Sequence, residues 1–367
     1  MWGQWTGQLL DAEHRWHAVL NVDRDRPDSG RLLLFSLEEP TRWRHATVTG
    51  VSAVDSHITG TLEFSPYPFD LPLDEQQQSE PATVFGGTIL GMITGNELRM
   101  TLTTPDGPPG TKGEMAISCV ETEVPSAPDH SFTWPQFKDW VSSLPHEDCP
   151  LIFRGHEKAT YRLKTSLHRA GRRDLIRYRQ QDLPVLAGYV SGVTGRTYRL
   201  NDFHDYNNLL SVAQHHGYPT PLLDWAESAY IAAYFAFRGR ACQGDERCRV
   251  FALNIDDMQH DVGSQEGALE VPCLNLHAVR AAARDHDRAL PQQSVFMLSS
   301  VAEIEVFIAA AEERTSKRYL TKIDLPKAAG KAAVAELRMM GITEVSLFPG
   351  LDGICGELRQ RFFGWQG

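Results

Sequence analysis

Gln214-His215-His216-Gly217-Tyr218-Pro219-Thr220-Pro221-Leu222-Leu223-Asp224-Trp225 gathers two imidazoles, a threonine hydroxyl, a carboxylate and an indole around one glycine and two prolines. An apolar segment, Tyr230-Ile231-Ala232-Ala233-Tyr234-Phe235-Ala236-Phe237, follows with helical character. Pro219 and Pro221 forbid a regular helix across the polar part and push His216 to Leu222 toward an extended or turn path. Polar groups on such a loop, braced by a helix, stand where binding and catalysis usually occur. The plainer alternative is a structural turn in which Asp224 caps the helix and His216 is satisfied in the core.

Outward from this stretch, the chain divides. At 367 residues it exceeds one ordinary core, and two or three domains are expected. Residues 1 to about 122 read as an all-β barrel or sandwich. Apolar and polar residues alternate over Trp16 to Val22, Arg31 to Phe35, Thr47 to Val51, His57 to Phe64, Thr83 to Ile93, Glu97 to Thr103 and Glu114 to Val120. Turn formers separate them, among them Thr94-Gly95-Asn96 and the Pro105 to Gly110 loop. Trp2, Trp5, Trp16 and Trp43 either fill this domain or line a ligand mouth; it carries no catalytic constellation and reads as a binding or docking module. Residues 123–133, with Pro125-Ser126-Ala127-Pro128-Asp129, read as an interdomain linker open to proteases. Residues 134–367 form an α+β unit. It opens with an amphipathic helix from Trp134 to Leu144, capped by Thr133.

Composition narrows the function. A net charge of −11 argues against binding through bulk nucleic-acid electrostatics. One stretch is basic: Arg154, Lys158, Arg162, Lys164, Arg169, Arg172, Arg173, Arg177 and Arg179 face only Glu157 and Asp174. That run suits a solvated face or a phosphate-bearing ligand equally. Six scattered cysteines point to a reducing compartment, no apolar run approaches a transmembrane span, and Met1 to Trp5 lacks a signal-peptide layout, so a cytoplasmic protein without a membrane partner is expected. Cys242 and Cys248 lack a second Cys/His pair and read as free thiols, so no metal is expected.

Phe153-Arg154-Gly155-His156, the twelve-residue stretch above with Ala233-Tyr234-Phe235-Ala236, Arg288 through Gln292-Gln293-Ser294-Val295-Phe296, and Met340-Gly341-Ile342 through Leu347-Phe348-Pro349-Gly350-Leu351-Asp352-Gly353 stand in that order. These four blocks resemble the FRG domain, over about residues 134 to 363. The chain departs from the pattern at Ser294, where the family usually has Gly, and at Pro221, where it usually has Arg. The block order is also similar to the layout of ADP-ribosyltransferases, whose split sheet with flanking helices is the implied fold. That similarity gives Arg154 the role of the early strand-end cation, Thr220 that of the polar strand, and Gln292 that of the later strand's Glu or Gln.

The resemblance implies an enzyme acting on NAD. It would transfer ADP-ribose to a protein or nucleic acid, or hydrolyse NAD, as a toxin or phage-defence effector. Cleaving the nicotinamide–ribose bond develops an oxocarbenium-like cation. Arg154 beside Gly155 would grip the pyrophosphate. Gln292, Asp224 and Thr220 would act on the ribose, and His215 or His216 would serve an acceptor or a hydroxyl. Tyr218, Trp225 or Tyr234 would give nicotinamide an aromatic face. Gln292 brings no charge; Glu303, Glu305 or Asp224 would have to supply it. Two other classes remain open: a non-catalytic nucleotide or nucleic-acid sensor using the same pocket, and a hydrolase or nuclease built on His215, His216 and Asp224. The acceptor, the oligomeric state and the ligand of the β domain are not encoded in any motif.

Overall fold

A computed structural model describes residues 2–11, 15–37, 43–64, 85–104, 111–119, 121–122, 124–145, 149–238, 245–262, 274–280 and 291–363. The Pro105 to Gly110 loop, Cys242, Arg288 and the Trp43 side chain lie outside the described residues.

Eight strands close the N-terminal barrel: β1 (Gly3–Leu10), β2 (Arg15–Val22), β3 (Gly30–Ser36), β4 (Trp43–Val54), β5 (His57–Phe64), β6 (Phe85–Thr94), β7 (Glu97–Thr104) and β8 (Thr111–Cys119). Each pairs antiparallel with the next, and β1 pairs with β8, so no edge is left open. Alternation sends Trp5, Trp16, Leu20, Leu32, Val48, Leu62, Leu98 and Ile117 inward, where they fill the barrel. Of the indoles, Trp5 and Trp16 are filling, and Trp2 lies outside between the guanidinium groups of Arg24 and Arg173.

The second unit is a seven-stranded sheet in the order β13-β14-β11-β10-β12-β15-β9. Its strands are β9 (His130–Ser131), β10 (Leu151–His156), β11 (Leu222–Ala226), β12 (Arg247–Asn254), β13 (Leu276–Arg280), β14 (Ser294–Ser299) and β15 (Leu320–Pro326). All neighbours run antiparallel except β15 and β9. The helices are α1 (Trp134–Ser142), α2 (Ser166–Arg169), α3 (Leu175–Arg177), α4 (Leu183–Thr194), α5 (Phe203–His215), α6 (Ala229–Phe237), α7 (Ile255–Val262), α8 (Ile304–Thr315), α9 (Gly330–Met339), α10 (Glu344–Leu347) and α11 (Leu351–Phe363). The expected α+β architecture with a preceding barrel is what the chain adopts.

The helices α1, α6 and α9 cover one sheet face, over Phe153, Ala226, Val250 and Ile323; α7 and α8 cover the other, over Ile152, Trp225, Phe251 and Met297. Thr133 caps α1 in a full capping box with Gln136. Cys248 is buried in this sheet, and burial pushes its thiol up to about 12, so it is a core residue. Ile304 to Ala311 is helical: Ile304, Ile308 and Ala311, at i, i+4 and i+7, all face the core.

Five of the nine cations of the basic run, Arg162, Lys164, Arg172, Arg173 and Arg177, form neither a solvated face nor a free phosphate site. Arg173 forks onto Glu121 at 2.5 and 2.6 Å, Lys164 bridges Glu121 and Glu303 at 3.0 Å each, and Arg172 and Arg177 both reach Asp23 at 2.8 Å. These bonds join the barrel to the second unit. Gln4, fully buried on β1, adds a donor to the Ser300 carbonyl and an acceptor for the Ala302 amide, both at 3.0 Å. Val19 and Leu33 face outward from the barrel yet are buried, because Ile176 packs on them.

The Pro-marked stretch is likewise no free tether. Arg249 donates to the Ser126 carbonyl and hydroxyl at 2.9 Å, Ser126 donates to Glu305, and the Asp129 amide donates to the Lys322 carbonyl at 2.8 Å. Limited proteolysis is therefore expected to spare Val124 to Ser131 in the wild type. Arg249→Ala, which frees Ser126, is expected to open the site; rapid wild-type cleavage there, read by mass spectrometry of the fragments, would contradict this.

Candidate functional site

β10 and β11 are central neighbours, yet their ladder has a single register pair, Phe153 with Ala226. Past that pair the sheet splits. Gly155 is obligatory at the split: a Cβ there would come within 1.9 Å of the Ala232 carbonyl oxygen on α6. The helix can lie this close because its facing residues are Ala232 and Ala236.

A cavity of about 480 Å³ opens at this place, within the range of about 300–1,000 Å³ typical of small-ligand sites. β10 contributes Arg154 and His156, β11 contributes Asp224, α5 contributes Ser211, Gln214 and His215, and the turn before β14 contributes Gln292. Phe235, Arg238, Phe296 and Phe348 complete the wall, with Glu157 and Tyr161 at one side.

Arg154 is held by two of its nitrogens. Nη1 donates to the Asp224 carbonyl oxygen across the split, and Nε donates to His156 Nε2 at 3.1 Å. Nη2 has no partner among the described residues. Burial lowers the Arg154 pKa to about 10, with the nearby Asp224 charge acting in the opposite direction, so the guanidinium stays charged at neutral pH. His156 accepts from Arg154, and its Nδ1 lies 3.3 Å from the Tyr161 carbonyl. Its pKa is driven to about 3, first by burial and then by the Arg154 charge. His156 is thus a neutral imidazole that orients Arg154, not an acid–base group at physiological pH.

Asp224 opens onto the cavity, but protein surrounds the cavity, and that burial raises its carboxyl pKa; Arg154, Gln214 and Arg169 oppose the rise. Gln214 Nε2 donates to its Oδ1, and Gln214 Oε1 accepts from the Thr220 hydroxyl. Ser166 fixes Thr220 in turn: its hydroxyl accepts from the Thr220 amide at 2.9 Å. The polar chain Ser166–Thr220–Gln214 therefore sets the carboxyl orientation. Gln292 donates Nε2 to the Leu347 carbonyl at 2.9 Å, which leaves its amide oxygen to accept a bond.

Arg154, Gly155, Asp224, Gln292 and His215 thus meet on one cavity although they are far apart in the chain. Of the remaining residues singled out in the sequence, Trp225 borders the cavity and the others sit elsewhere. Thr220 is fully buried one step behind Gln214. The Trp225 indole packs in the core on the opposite sheet face, 2 % exposed, and offers no stacking surface. Tyr234 is buried with its hydroxyl donating to Glu344 at 2.6 Å. Tyr218 packs against the cluster under α5. His216 is the exposed C-cap of α5, and does not line the cavity. Asp224 caps nothing; Ser228 caps α6. Glu303 and Glu305 are consumed by Arg162, Lys164 and the Leu163 amide. Sequence reasoning missed Gln214 and Phe235 as cavity residues, although both lie in the quoted blocks. It also missed Arg238 and Phe348, which meet only in three dimensions, with the guanidinium 4.7 Å from the ring centroid. No group of three His, Cys, Asp or Glu suited to a metal ion occurs among the described residues.

Comparison with known families places a match where this cavity is built: residues 149–245 match the FRG domain. The chain contains an FRG domain. The matched FRG segment supplies β10, α5, β11 and α6, hence Arg154, Gln214 and Asp224. Gln292 and Phe348 come from beyond it. No curated protein and no solved structure matches the chain. No helix among the described residues is long and apolar enough to cross a membrane.

Proposed function

We propose that the FRG cavity binds NAD and cleaves its nicotinamide–ribose bond, passing ADP-ribose to water or to a protein or nucleic-acid acceptor. The observation that carries this reading is the convergence of a clamped guanidinium, a carboxyl and an uncommitted amide oxygen on one cavity at the split of the sheet. Arg154 offers Nη2 to the pyrophosphate, backed by the charge of Arg238 at the rim. Asp224 faces the ribose and stabilises positive charge as the glycosidic bond breaks. Gln292 Oε1 accepts from a ribose hydroxyl. Nicotinamide leaves with the bonding electron pair, and water or another nucleophile attacks the anomeric carbon and gives up its proton. His215, at the mouth, is the group positioned to take that proton.

The carboxylate that the chain lacks at Gln292 is supplied by Asp224. The nucleic-acid reading loses much of its support, since Arg162, Lys164, Arg172, Arg173 and Arg177 are spent on ion pairs to the barrel and within the second unit. A His–Asp hydrolase is disfavoured because Gln214, and neither histidine, bonds the Asp224 carboxyl.

Calorimetry with NAD, beside a nicotinamide-release assay, tests the proposal. Arg154→Ala is expected to abolish binding, and Arg154→Lys to restore little, since an ammonium cannot keep both fixed contacts and the free prong. Gln292→Ala is expected to spare binding and lower turnover by about 10- to 100-fold. Binding without release by a folded wild type would favour a nucleotide sensor, and neither heat nor release would sink the NAD reading.

A further inference from the structure

The helix α11 presents two faces, of which only one is packed. Gly353 and Gly356 press on α10: a Cβ on Gly353 would meet the Phe348 carbonyl oxygen at 1.8 Å, and one on Gly356 the Glu344 side chain at 2.7 Å. At about 100° per residue, the opposite side of the helix is the stripe Leu351, Ile354, Cys355, Leu358 and Phe362. All five are exposed, Leu351 at 77 % and Phe362 at 67 %. Apolar residues on the outward side of a surface helix reverse the usual pattern and mark an interaction face. Met339 and Met340 are also exposed, at the end of α9, and Arg338 on that helix is tied to Glu357 on α11 at 2.7 Å.

We infer that this face is covered by a second copy of the same chain, through antiparallel pairing of α11 with α11 about a two-fold axis. The stripe has the 3–4 spacing of a helix–helix seam. One flank is self-complementary only in the antiparallel sense, with Asp352 toward one end of the helix and Arg359 toward the other. Centring the pair between Gly356 and Glu357 sets Leu351 beside the partner's Phe362, Cys355 beside the partner's Leu358, and Asp352 on the same flank of the seam as the partner's Arg359. A parallel pair would instead keep Asp352 and the partner's Arg359 about 10 Å apart along the axis and align the helix dipoles unfavourably. The surface is isologous, so it closes at a dimer and does not propagate. It also backs the cavity wall, because α11 seats Glu344, which holds Arg238 at 2.7 Å. The inference stands independently of the NAD reading.

Size-exclusion chromatography with light scattering over a dilution series tests it on the full chain. The wild type is expected to be a dimer that dissociates on dilution. Leu358→Glu is expected to be monomeric throughout, with circular dichroism and melting unchanged from a wild-type monomer; if that variant fails to fold, Ile354→Glu carries the same expectation. Asp352→Arg or Arg359→Asp alone should move the dissociation midpoint about tenfold or more to higher concentration, the scale of one lost close charge pair, and the double reversal should restore it. That rescue is a readout that a purely internal role for Asp352 would not produce. A wild type that is monomeric at every concentration, a dimer indifferent to the apolar variants, or single reversals without rescue would each overturn the proposal.

Discussion

Asp224→Asn is expected to reduce nicotinamide release from NAD by about 10²- to 10³-fold, the scale of removing one preorganised charge-stabilising group, while leaving the protein folded and more heat-stable. The substitution keeps an oxygen for the Gln214 amide and keeps the backbone carbonyl that accepts from Arg154. It removes only the charge that would face the oxocarbenium. The gain in stability follows from the direction of the pKa shift. Burial raises the Asp224 pKa, so the folded state binds the proton more tightly than the unfolded chain does. Its contribution to stability is then fully present below the unfolded pKa and lost as pH rises through the folded one. At neutral pH the native carboxylate is a cost to the fold, and a neutral isostere relieves it. The working form is the carboxylate, so wild-type activity should fall in mild acid at a pH above the ordinary carboxylate range. Steady-state release assays against pH, beside thermal melts of both proteins, check both halves. A variant with wild-type release would remove Asp224 from the mechanism; a variant with a lower melting temperature would contradict the account of its burial.

Arg173→Met is expected to cost about 3–5 kcal/mol, the scale of breaking a buried pair from one side. Arg173 is 1 % exposed and forks onto Glu121. Burial alone would raise the Glu121 pKa, but the Arg173 hydrogen bonds and charge, with those of Lys164, outweigh it and hold the carboxyl at about 2. For a depressed acid the sign is opposite to that of Asp224. The stabilisation is present above the ordinary carboxylate pKa and is lost as pH falls from about 4.5 toward about 2. Urea unfolding of wild type and variant at neutral pH and near pH 3 reads this: the difference between them should shrink in acid. Equal stability at neutral pH would show that the contact between barrel and FRG unit contributes little. Glu121→Gln, which leaves Arg173 a neutral acceptor, should cost less than Arg173→Met.

Much of the site was legible because its residues sit in contiguous blocks. Phe153-Arg154-Gly155 reads as a strand end, and the structure explains its glycine by the close approach of Ala232. Pro219 and Pro221 correctly exclude a helix over that part of the quoted stretch, although α5 runs through Gln214 and His215 before it. Aromatic residues misled: Trp225 and Tyr234 are chemically suited to stacking on a ligand, but strand alternation and helix packing turn both into the core. The basic run misled for a different reason. A linear reading counts charges and cannot see Asp23 and Asp25, 149 and 152 positions before Arg172 and Arg177, or Glu121, 52 positions before Arg173, which neutralise them.

The local periodicities of this chain are enough to dictate an all-β first unit, an α+β second unit, the cap of α1 and the course of the 214–225 stretch, because each depends on steric and hydrogen-bond preferences among near neighbours. One sign of contact between the units lies in Leu32-Leu33-Leu34, inside the stretch read as alternating: all three are apolar because both faces of β3 are covered. The split between β10 and β11, the choice of His215 over His216, the relay from Ser166 through Thr220 and Gln214 to Asp224, and the meeting of Gln292 with Phe348 were decided only by the tertiary structure. Each depends on the distance and direction between side chains on different elements, and burial then sets whether a given Asp, His or Arg is an exposed charge, a neutral prop or a shifted group in a cavity.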